Sequence, residues 1–204
     1  MPSLQDRRGF SLIEVLIASL IAVSFIFVIG AFQGNFSSLQ NFTNQKLQSH
    51  QDIDQTIQMM TTAIRSAGPS SVGSYPIESA GTSSFVFYSD IHRNGIFERI
   101  RYFLGTSTMQ EGIITPSGQP LVYVTSTEVV TTQINNLVFT SSTPFFRYYD
   151  TNYTGASSSS MTYPITIANI RLVQFSFYAN VNQSSTPSPE YFSQMVSIRN
   201  LRSN

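Results

Sequence analysis

A single carboxylate, Glu14, lies inside the most apolar stretch of the sequence, and Gly9 and Phe10 lie just before it. An ionised carboxylate costs about 2.5–3.5 kcal/mol at the centre of a hydrocarbon layer, and less near its edge. A side chain that reaches the polar interface, or that favours the N-terminal end of a helix, lowers this cost. Glu14 is therefore the first residue for which a functional role has to be weighed against a structural one.

A second group of oxygen-bearing residues occurs at Asp90–Gly95. Its spacing resembles a calcium-binding loop, in which Ca²⁺ is held by six to eight oxygens. Two expected donor positions are filled by His92 and Arg93, however, and an arginine repels a cation. A hairpin turn in which Asn94-Gly95 supplies the positive φ is the favoured interpretation. Asp90 and Asn94 remain weak candidates for metal ligands.

Enzyme signatures are missing from the sequence. It contains no nucleophile elbow, no H-E-x-x-H pair and no phosphate-binding glycine loop. His50 and His92 have no metal-ligand partner at a suitable spacing. The absence of cysteine excludes a disulfide framework, a thiolate metal site and a thiol nucleophile. We therefore expect no enzymatic activity and no cofactor.

The chain is neutral and sparsely charged. Its formal net charge is zero and charged residues make up 11% of it, against about 25% in typical soluble domains. Proteins that bind nucleic acid present a basic surface, so no nucleic-acid partner is expected. A neutral, sparsely charged surface suits a protein that packs against copies or relatives of itself.

The apolar stretch runs from Phe10 to Phe32 and is long enough to cross a bilayer, since about 20 helical residues span about 30 Å. Arg7 and Arg8 on its N-terminal side predict that this end stays cytoplasmic and that the remainder is exported. A cleaved signal peptide has a shorter apolar core followed by small residues. We therefore expect a single-pass protein of the cytoplasmic (inner) membrane.

Helical periodicity continues beyond this stretch, in the stripe Ile53, Ile57, Met60 and Ile64. The pattern predicts one helix from about Phe10 to Ala67, ended by Gly68-Pro69. Four segments follow from it: a leader at 1–9, a span at 10–32, an amphipathic continuation at 33–67 and a β-rich domain at 69–204. Strands are predicted at Phe85–Tyr88, Ile96–Leu104, Gly112–Ile114, Leu121–Val124, Leu137–Phe139, Phe145–Tyr149, Ile170–Tyr178 and Gln194–Leu201. The aromatic residues Phe145, Phe146, Tyr148, Tyr149 and Tyr153 are interpreted as a strand and its flank, rather than as a binding edge.

The segment Arg7-Arg8-Gly9-Phe10-Ser11-Leu12-Ile13-Glu14-Val15 resembles the processing site of type IV prepilins and type II secretion pseudopilins. The shared pattern is a basic leader ending in glycine, then an aromatic residue, with glutamate fifth after the cut. The resemblance implies that a prepilin peptidase cleaves after Gly9 and that Phe10 is N-methylated. It also implies that Glu14 meets the N-terminal amine of a neighbouring subunit during assembly.

Weaker matches point to the PilW-type minor pilins and GspJ-type pseudopilins within that family. They are Ala63–Gly68 at the helix end, and Glu98-Arg99-Ile100-Arg101-Tyr102 after the Asp90–Gly95 turn. Many major pilins carry a proline where this chain has Ala31, and many close their C-terminal region with a disulfide. Both differences favour a minor pilin or pseudopilin.

The expected fold is α+β and pilin-like: a long N-terminal helix, transmembrane and then amphipathic, packed on an antiparallel β-sheet. The expected function is that of a structural subunit in a type IV pilus-like or type II secretion filament outside the cytoplasmic membrane. Its expected partners are other pilin or pseudopilin subunits, prepilin peptidase, the inner-membrane assembly platform and membrane lipid. Two alternatives stay open. One is a major pilin, and the other is a membrane-anchored β-domain that binds an exported polypeptide or other ligand without polymerising.

Overall fold

The computed structural model describes Gly9 and residues 11–139, 143–155, 159–181 and 189–201. The protein is a mixed α+β structure, with one long helix followed by antiparallel strands. The chain divides into two compact units, Met1–Leu47 and Gln48–Asn204. The long helix contributes residues to both units.

Helix α1 covers Leu12–Arg65, which confirms the predicted helix to within two residues at either end. Its start is fixed by Ser11, whose carbonyl oxygen accepts hydrogen bonds from the backbone N–H groups of Glu14 (3.1 Å) and Val15 (3.2 Å). The Ser11 hydroxyl oxygen also accepts from the Glu14 N–H at 3.4 Å, the position of an N-terminal cap. The part of α1 in the second unit buries Ile53, Met60 and Ile64, while Ile57 is partly buried. The predicted apolar stripe is therefore confirmed.

Gly68 lies at a crowded position where the chain leaves the helix. A β-carbon at this position would lie 2.6 Å from Cε1 of Phe97 and 3.1 Å from Nδ2 of Asn200. The Gly68 N–H donates to the carbonyl oxygen of Tyr88 at 3.0 Å, and Ala67 forms a β-bridge with Ser89. A residue larger than glycine would therefore require the side chains of Phe97 and Asn200 to shift.

The described residues of the second unit form nine strands: β1 (Ile77–Ala80), β2 (Ser84–Ser89), β3 (Glu98–Leu104), β4 (Met109–Ile114), β5 (Val129–Ile134), β6 (Leu137–Val138), β7 (Phe146–Tyr149), β8 (Leu172–Ala179) and β9 (Glu190–Ser197). The first five form one antiparallel sheet in chain order. In the second sheet, β8 pairs along its whole length with β9, while β7 and β6 pair with its two ends. The sequence predicted one sheet, and the structure divides the strands between two.

The core lies between α1 and the two sheets and is rich in aromatic rings. Its largest fully buried side chains include Phe85, Phe87, Tyr102, Phe146 and Tyr148. The Tyr148 hydroxyl donates to the carbonyl oxygen of Gly81 at 2.9 Å, which joins β7 to the turn between β1 and β2. The burial of Phe145, Phe146, Tyr148 and Tyr149 confirms the predicted strand and its flank.

The strand predictions were wrong or incomplete in four places. Leu121–Val124 is not a strand, because Val122 folds back to form a bridge with Ser117. Strands β1 and β5 were missed. The last predicted strand begins earlier, at Glu190, and ends at Ser197, before a 3-10 turn over Arg199–Leu201. The remaining predicted strands overlap those of the structure.

Candidate functional site: the exposed apolar helix

The first unit presents apolar side chains that nothing in it covers. The large apolar residues of the segment from Leu12 to Phe32 are 49–82% exposed, with the extremes at Ile21 and Leu12. The most apolar window of α1 has a mean hydropathy of 2.8, and none of that window is buried. Among the described residues, α1 is the one helix long and apolar enough to span a membrane.

The hydroxyl groups within this segment are satisfied by the helix itself. Ser19 donates to the carbonyl oxygen of Leu16, and Ser24 to that of Leu20, each at 2.9 Å. A serine that bonds the preceding turn in this way no longer needs water or a partner chain. The two serines therefore do not interrupt the apolar character of the surface.

Glu14 differs from these serines. It lies in the first turn of α1 with its side chain exposed, and the carboxylate takes part in no hydrogen bond or ion pair with the described part of the chain. Unpaired N–H groups make the first turn of a helix a favourable place for negative charge. This dipole effect offsets only part of the cost of a carboxylate in hydrocarbon. Glu14 is thus a charged group in an apolar surface, without a partner among the described residues.

The predicted cleavage junction lies directly before the helix. Gly9 is exposed, and a β-carbon added to it would meet no atom within 4 Å. Its backbone therefore imposes no steric requirement for glycine, in contrast to that of Gly68. Phe10 and the predicted leader residues 1–8 lie outside the described residues, so their predicted roles stay predictions.

The Asp90–Gly95 segment forms a turn closed by its own side chains. The Asp90 carboxylate accepts hydrogen bonds from the N–H groups of Asn94 (3.0 Å) and Gly95 (2.8 Å). The Asn94 side-chain oxygen accepts from the N–H of Ile96 at 2.9 Å. Positive φ occurs at Gly95, as predicted, and at Arg93 rather than Asn94. The oxygens of both weak metal candidates therefore have backbone partners, and no group of three metal-binding side chains occurs among the described residues.

Both histidines have carboxylate partners that the sequence did not reveal. His92 Nδ1 lies 2.8 Å from Oε1 of Glu98, a buried residue whose carboxylate also accepts from the N–H of Ile91 at 3.3 Å. His50 Nε2 lies 3.1 Å from Oε2 of Glu190. The first pair ties the turn to β3 and the second ties α1 to β9. We interpret both as structural contacts.

Two arginines of β3 form bidentate ion pairs that link distant parts of the first sheet. Arg99 binds Glu78 through two contacts of 2.7 Å. Arg101 binds Glu128 at 2.8 and 2.6 Å and stacks over the ring of Phe103. Hydrogen bonds from Arg99 and Arg101 lower the pKa of Glu78 and of Glu128, respectively. Burial, and then the hydrogen bond to Glu78, raises the pKa of Tyr88. The opposite charges of each arginine and its glutamate neutralise one another, which is typical of structural ion pairs.

No protein-family model matches the chain, and no curated protein matches it. Function therefore has to be inferred from the residues of this chain. Three features bear on it most directly: the exposed apolar surface of α1, the carboxylate of Glu14 within that surface, and the Gly9–Phe10 junction before it.

Proposed function

We propose that the protein is a minor pilin or pseudopilin, a structural subunit of a type IV pilus-like or type II secretion filament. Cleavage after Gly9 releases the mature subunit, Phe10 is N-methylated, and the subunit assembles through the N-terminal part of α1. The α+β arrangement, with α1 followed by antiparallel strands, is compatible with a pilin-like fold. The exposed apolar helix with Glu14 in its first turn is the observation that carries the proposal.

The first argument is the apolar surface. A continuous run of exposed large apolar side chains is unstable in water, and lipid or other apolar helices have to cover it. Before assembly the cytoplasmic membrane supplies that cover. In a filament the equivalent helices of neighbouring subunits replace the lipid, and the same surface serves both states.

The second argument is Glu14. Lipid covers the leucine, isoleucine and phenylalanine side chains well, but it leaves the carboxylate without a partner. Cleavage before Phe10 creates an ammonium group about one helical turn from Glu14. Pairing this carboxylate with the amine of a neighbouring subunit satisfies two charges in the same apolar surroundings. Glu14 thus favours association with another processed subunit over residence in lipid.

The test is cross-linking between subunits in the cells that make the protein. Because the chain contains no cysteine, a cysteine introduced at the exposed position Ile17 reports a neighbouring α1 without interference. We expect Glu14→Leu to insert and to be cleaved after Gly9, yet to lose cross-linking and incorporation into filaments. Glu14→Asp shortens the reach of the carboxylate and should give an intermediate defect.

Ser19→Leu provides the matched control. It also replaces a polar residue of the same helix by leucine, but the Ser19 hydroxyl is already satisfied by the Leu16 carbonyl oxygen. Cross-linking should therefore be retained in this variant. Undiminished cross-linking in Glu14→Leu would contradict the assembly role of the carboxylate. Absence of the Ile17 cross-link in every protein, including the one that keeps Glu14, would favour a membrane-anchored β-domain that does not polymerise.

A further inference from the structure

Arg147, on strand β7, differs from the other half-buried arginines of the described chain. Arg99 and Arg101 each bind a carboxylate, and Arg171 donates to the carbonyl oxygens of Ala168 and Ile170. The Arg147 guanidinium forms no hydrogen bond or ion pair with any described residue. A partly buried arginine that lacks such contacts has lost water without gaining a protein partner.

The Arg147 side chain lines an open pocket of about 510 Å³. The pocket lies beside β7, where the turn between β1 and β2 meets it through a hydrogen bond of 3.0 Å from the Phe146 N–H to the Thr82 carbonyl oxygen. Residues 160–163 form another wall, held by a bond of 2.8 Å from the Met161 N–H to the Tyr148 carbonyl oxygen. Backbone hydrogen bonds thus fix two walls of the pocket.

The other polar side chains among the described lining residues carry hydroxyl groups, of which that of Tyr163 donates to the Phe146 carbonyl oxygen at 3.3 Å. Five serine and threonine residues line it: Thr82, Ser83, Thr143, Ser160 and Thr162. None of their hydroxyl groups bonds another described residue. A hydroxyl both donates and accepts, so this lining can bind further hydroxyl groups as well as an anion.

Among the described residues that line the pocket, none has an acidic side chain to neutralise Arg147. The residues that precede Thr143 and Ser159 in the sequence, 140–142 and 156–158, are also free of Asp and Glu. The positive charge is therefore available to a ligand. Leu104, Phe145 and Met161 add apolar surface to the same pocket.

A second pocket, of about 590 Å³ beside α1, serves as a comparison. Two of its charged residues are already engaged by the protein. Asp90 accepts from the Asn94 and Gly95 N–H groups, and Glu111 accepts from the Gln133 side-chain amide at 2.6 Å. This pocket also contains Arg93, so its lining carries charges of both signs, whereas Arg147 is the one charged residue among the described lining of its own pocket.

We propose that the Arg147 pocket binds an acidic sugar, a hydroxyl-rich small molecule that carries one oxyanion. The planar guanidinium matches the two oxygens of a carboxylate or phosphate, the hydroxyl groups pair with those of the sugar, and the apolar residues contact its C–H faces. The volume falls within the range of small-molecule sites, about 300–1,000 Å³. The pocket lies within the second unit and does not depend on filament assembly.

The experiment uses the full chain in uncharged detergent micelles, titrated by calorimetry with glucuronate, glucose 6-phosphate and glucose. At least one acidic sugar should bind, and neutral glucose should bind at least ~10-fold more weakly. The stronger of the two acidic sugars identifies the oxyanion as a carboxylate or a phosphate. Arg147→Gln should weaken binding by about 10- to 100-fold, the range supplied by hydrogen bonds to charged groups, and Arg147→Lys by less. Arg65→Gln, which changes an exposed arginine outside this pocket, should leave affinity unchanged.

Several results would overturn the proposal. One is the absence of binding by either acidic sugar at millimolar concentration, and another is equal binding of glucose. Retained affinity in a folded Arg147→Gln variant, verified by circular dichroism, would exclude the guanidinium as the ligand group. If inorganic phosphate bound as tightly as the acidic sugars, the hydroxyl lining would contribute nothing, and the site would not be one for sugars.

Discussion

The Asn200 side chain donates a hydrogen bond of 2.8 Å to the carbonyl oxygen of Ala67, 133 residues earlier in the chain. Ala67 is fully buried at the end of the long helix, and Asn200 belongs to the last 3-10 turn. The same helix end is joined to β2 by a hydrogen bond of 2.8 Å between the hydroxyls of Ser66 and Ser89. The helix end therefore belongs to the folded core of the second unit.

We predict that a fragment beginning at Gln48 folds without the first unit, whereas one beginning at Pro69 does not. The shorter fragment loses Ile53, Met60 and Ile64, whose burial contributes about 1.5–3 kcal/mol each as an upper estimate. It also exposes the apolar side chains that α1 covers. Circular dichroism and size-exclusion chromatography of the two fragments test this, and a cooperative, monomeric Pro69 fragment would contradict the role assigned to the helix.

Replacing Asn200 by alanine should destabilise the Gln48 fragment by about 1–3 kcal/mol, because the buried carbonyl oxygen of Ala67 would lose its side-chain partner. Urea unfolding should show a lower midpoint with an unchanged slope. Asn169→Ala, at an exposed position in another 3-10 turn, is the control and should change stability by less than about 0.5 kcal/mol. A midpoint shift no larger than that of the control would show that the Asn200 bond contributes little.

Stability should fall in acid partly through Glu78 and Glu128. Their arginine partners lower the pKa of both carboxyls in the folded chain below the usual 4.5. Each pair therefore stabilises the fold above that value, and the contribution is lost as the pH falls through the folded pKa. In urea titrations between neutral pH and about pH 3, the double variant Glu78→Gln/Glu128→Gln should lose less stability than the parent. An equal loss in both proteins would exclude these pairs, and Asp54→Asn controls for removal of an exposed carboxylate.

The long helix was predictable because its signals are local. The apolar run, the stripe from Ile53 to Ile64 and the break at Gly68-Pro69 are all read within a few turns. The missed strands lacked such signals. Strand β1 covers only Ile77–Ala80 and includes Glu78, whereas β5 is mostly exposed and gives no alternation of buried and exposed residues. Their positions depend on pairing with neighbouring strands, which sequence patterns do not contain.

The candidate site shows the same division. Gly9, Phe10 and Glu14 were identified because they are adjacent in sequence, whereas the ion pairs and the Arg147 pocket join residues far apart. Glu78 and Arg99 are separated by 21 residues, and Arg101 and Glu128 by 27. Leu121–Val124 had strand-like composition, but the bridge between Ser117 and Val122 folds it into a turn. The composition of this segment indicated a strand, but its backbone does not form one.

The last prediction concerns the Gly9–Phe10 bond. We expect the membrane-extracted protein to lack residues 1–9 and to carry one added methyl group, because the segment Arg7–Val15 resembles a prepilin processing site. Gly9→Val should block cleavage. A β-carbon at this position meets no atom of the described chain, so failure of the variant to be cleaved would report a requirement of the peptidase rather than a folding defect.

Intact-mass measurement of the two proteins checks this prediction directly. Gly34→Val is a suitable control, since a β-carbon there also meets nothing within 4 Å, and it should leave cleavage unchanged. Valine has a higher helix propensity than glycine, so Gly34→Val should not disturb α1. Gly9 lies before the first residue of α1. A wild-type mass that retains the residues before Phe10 would contradict the processing step. It would also remove the new amine on which the proposed pairing with Glu14 depends.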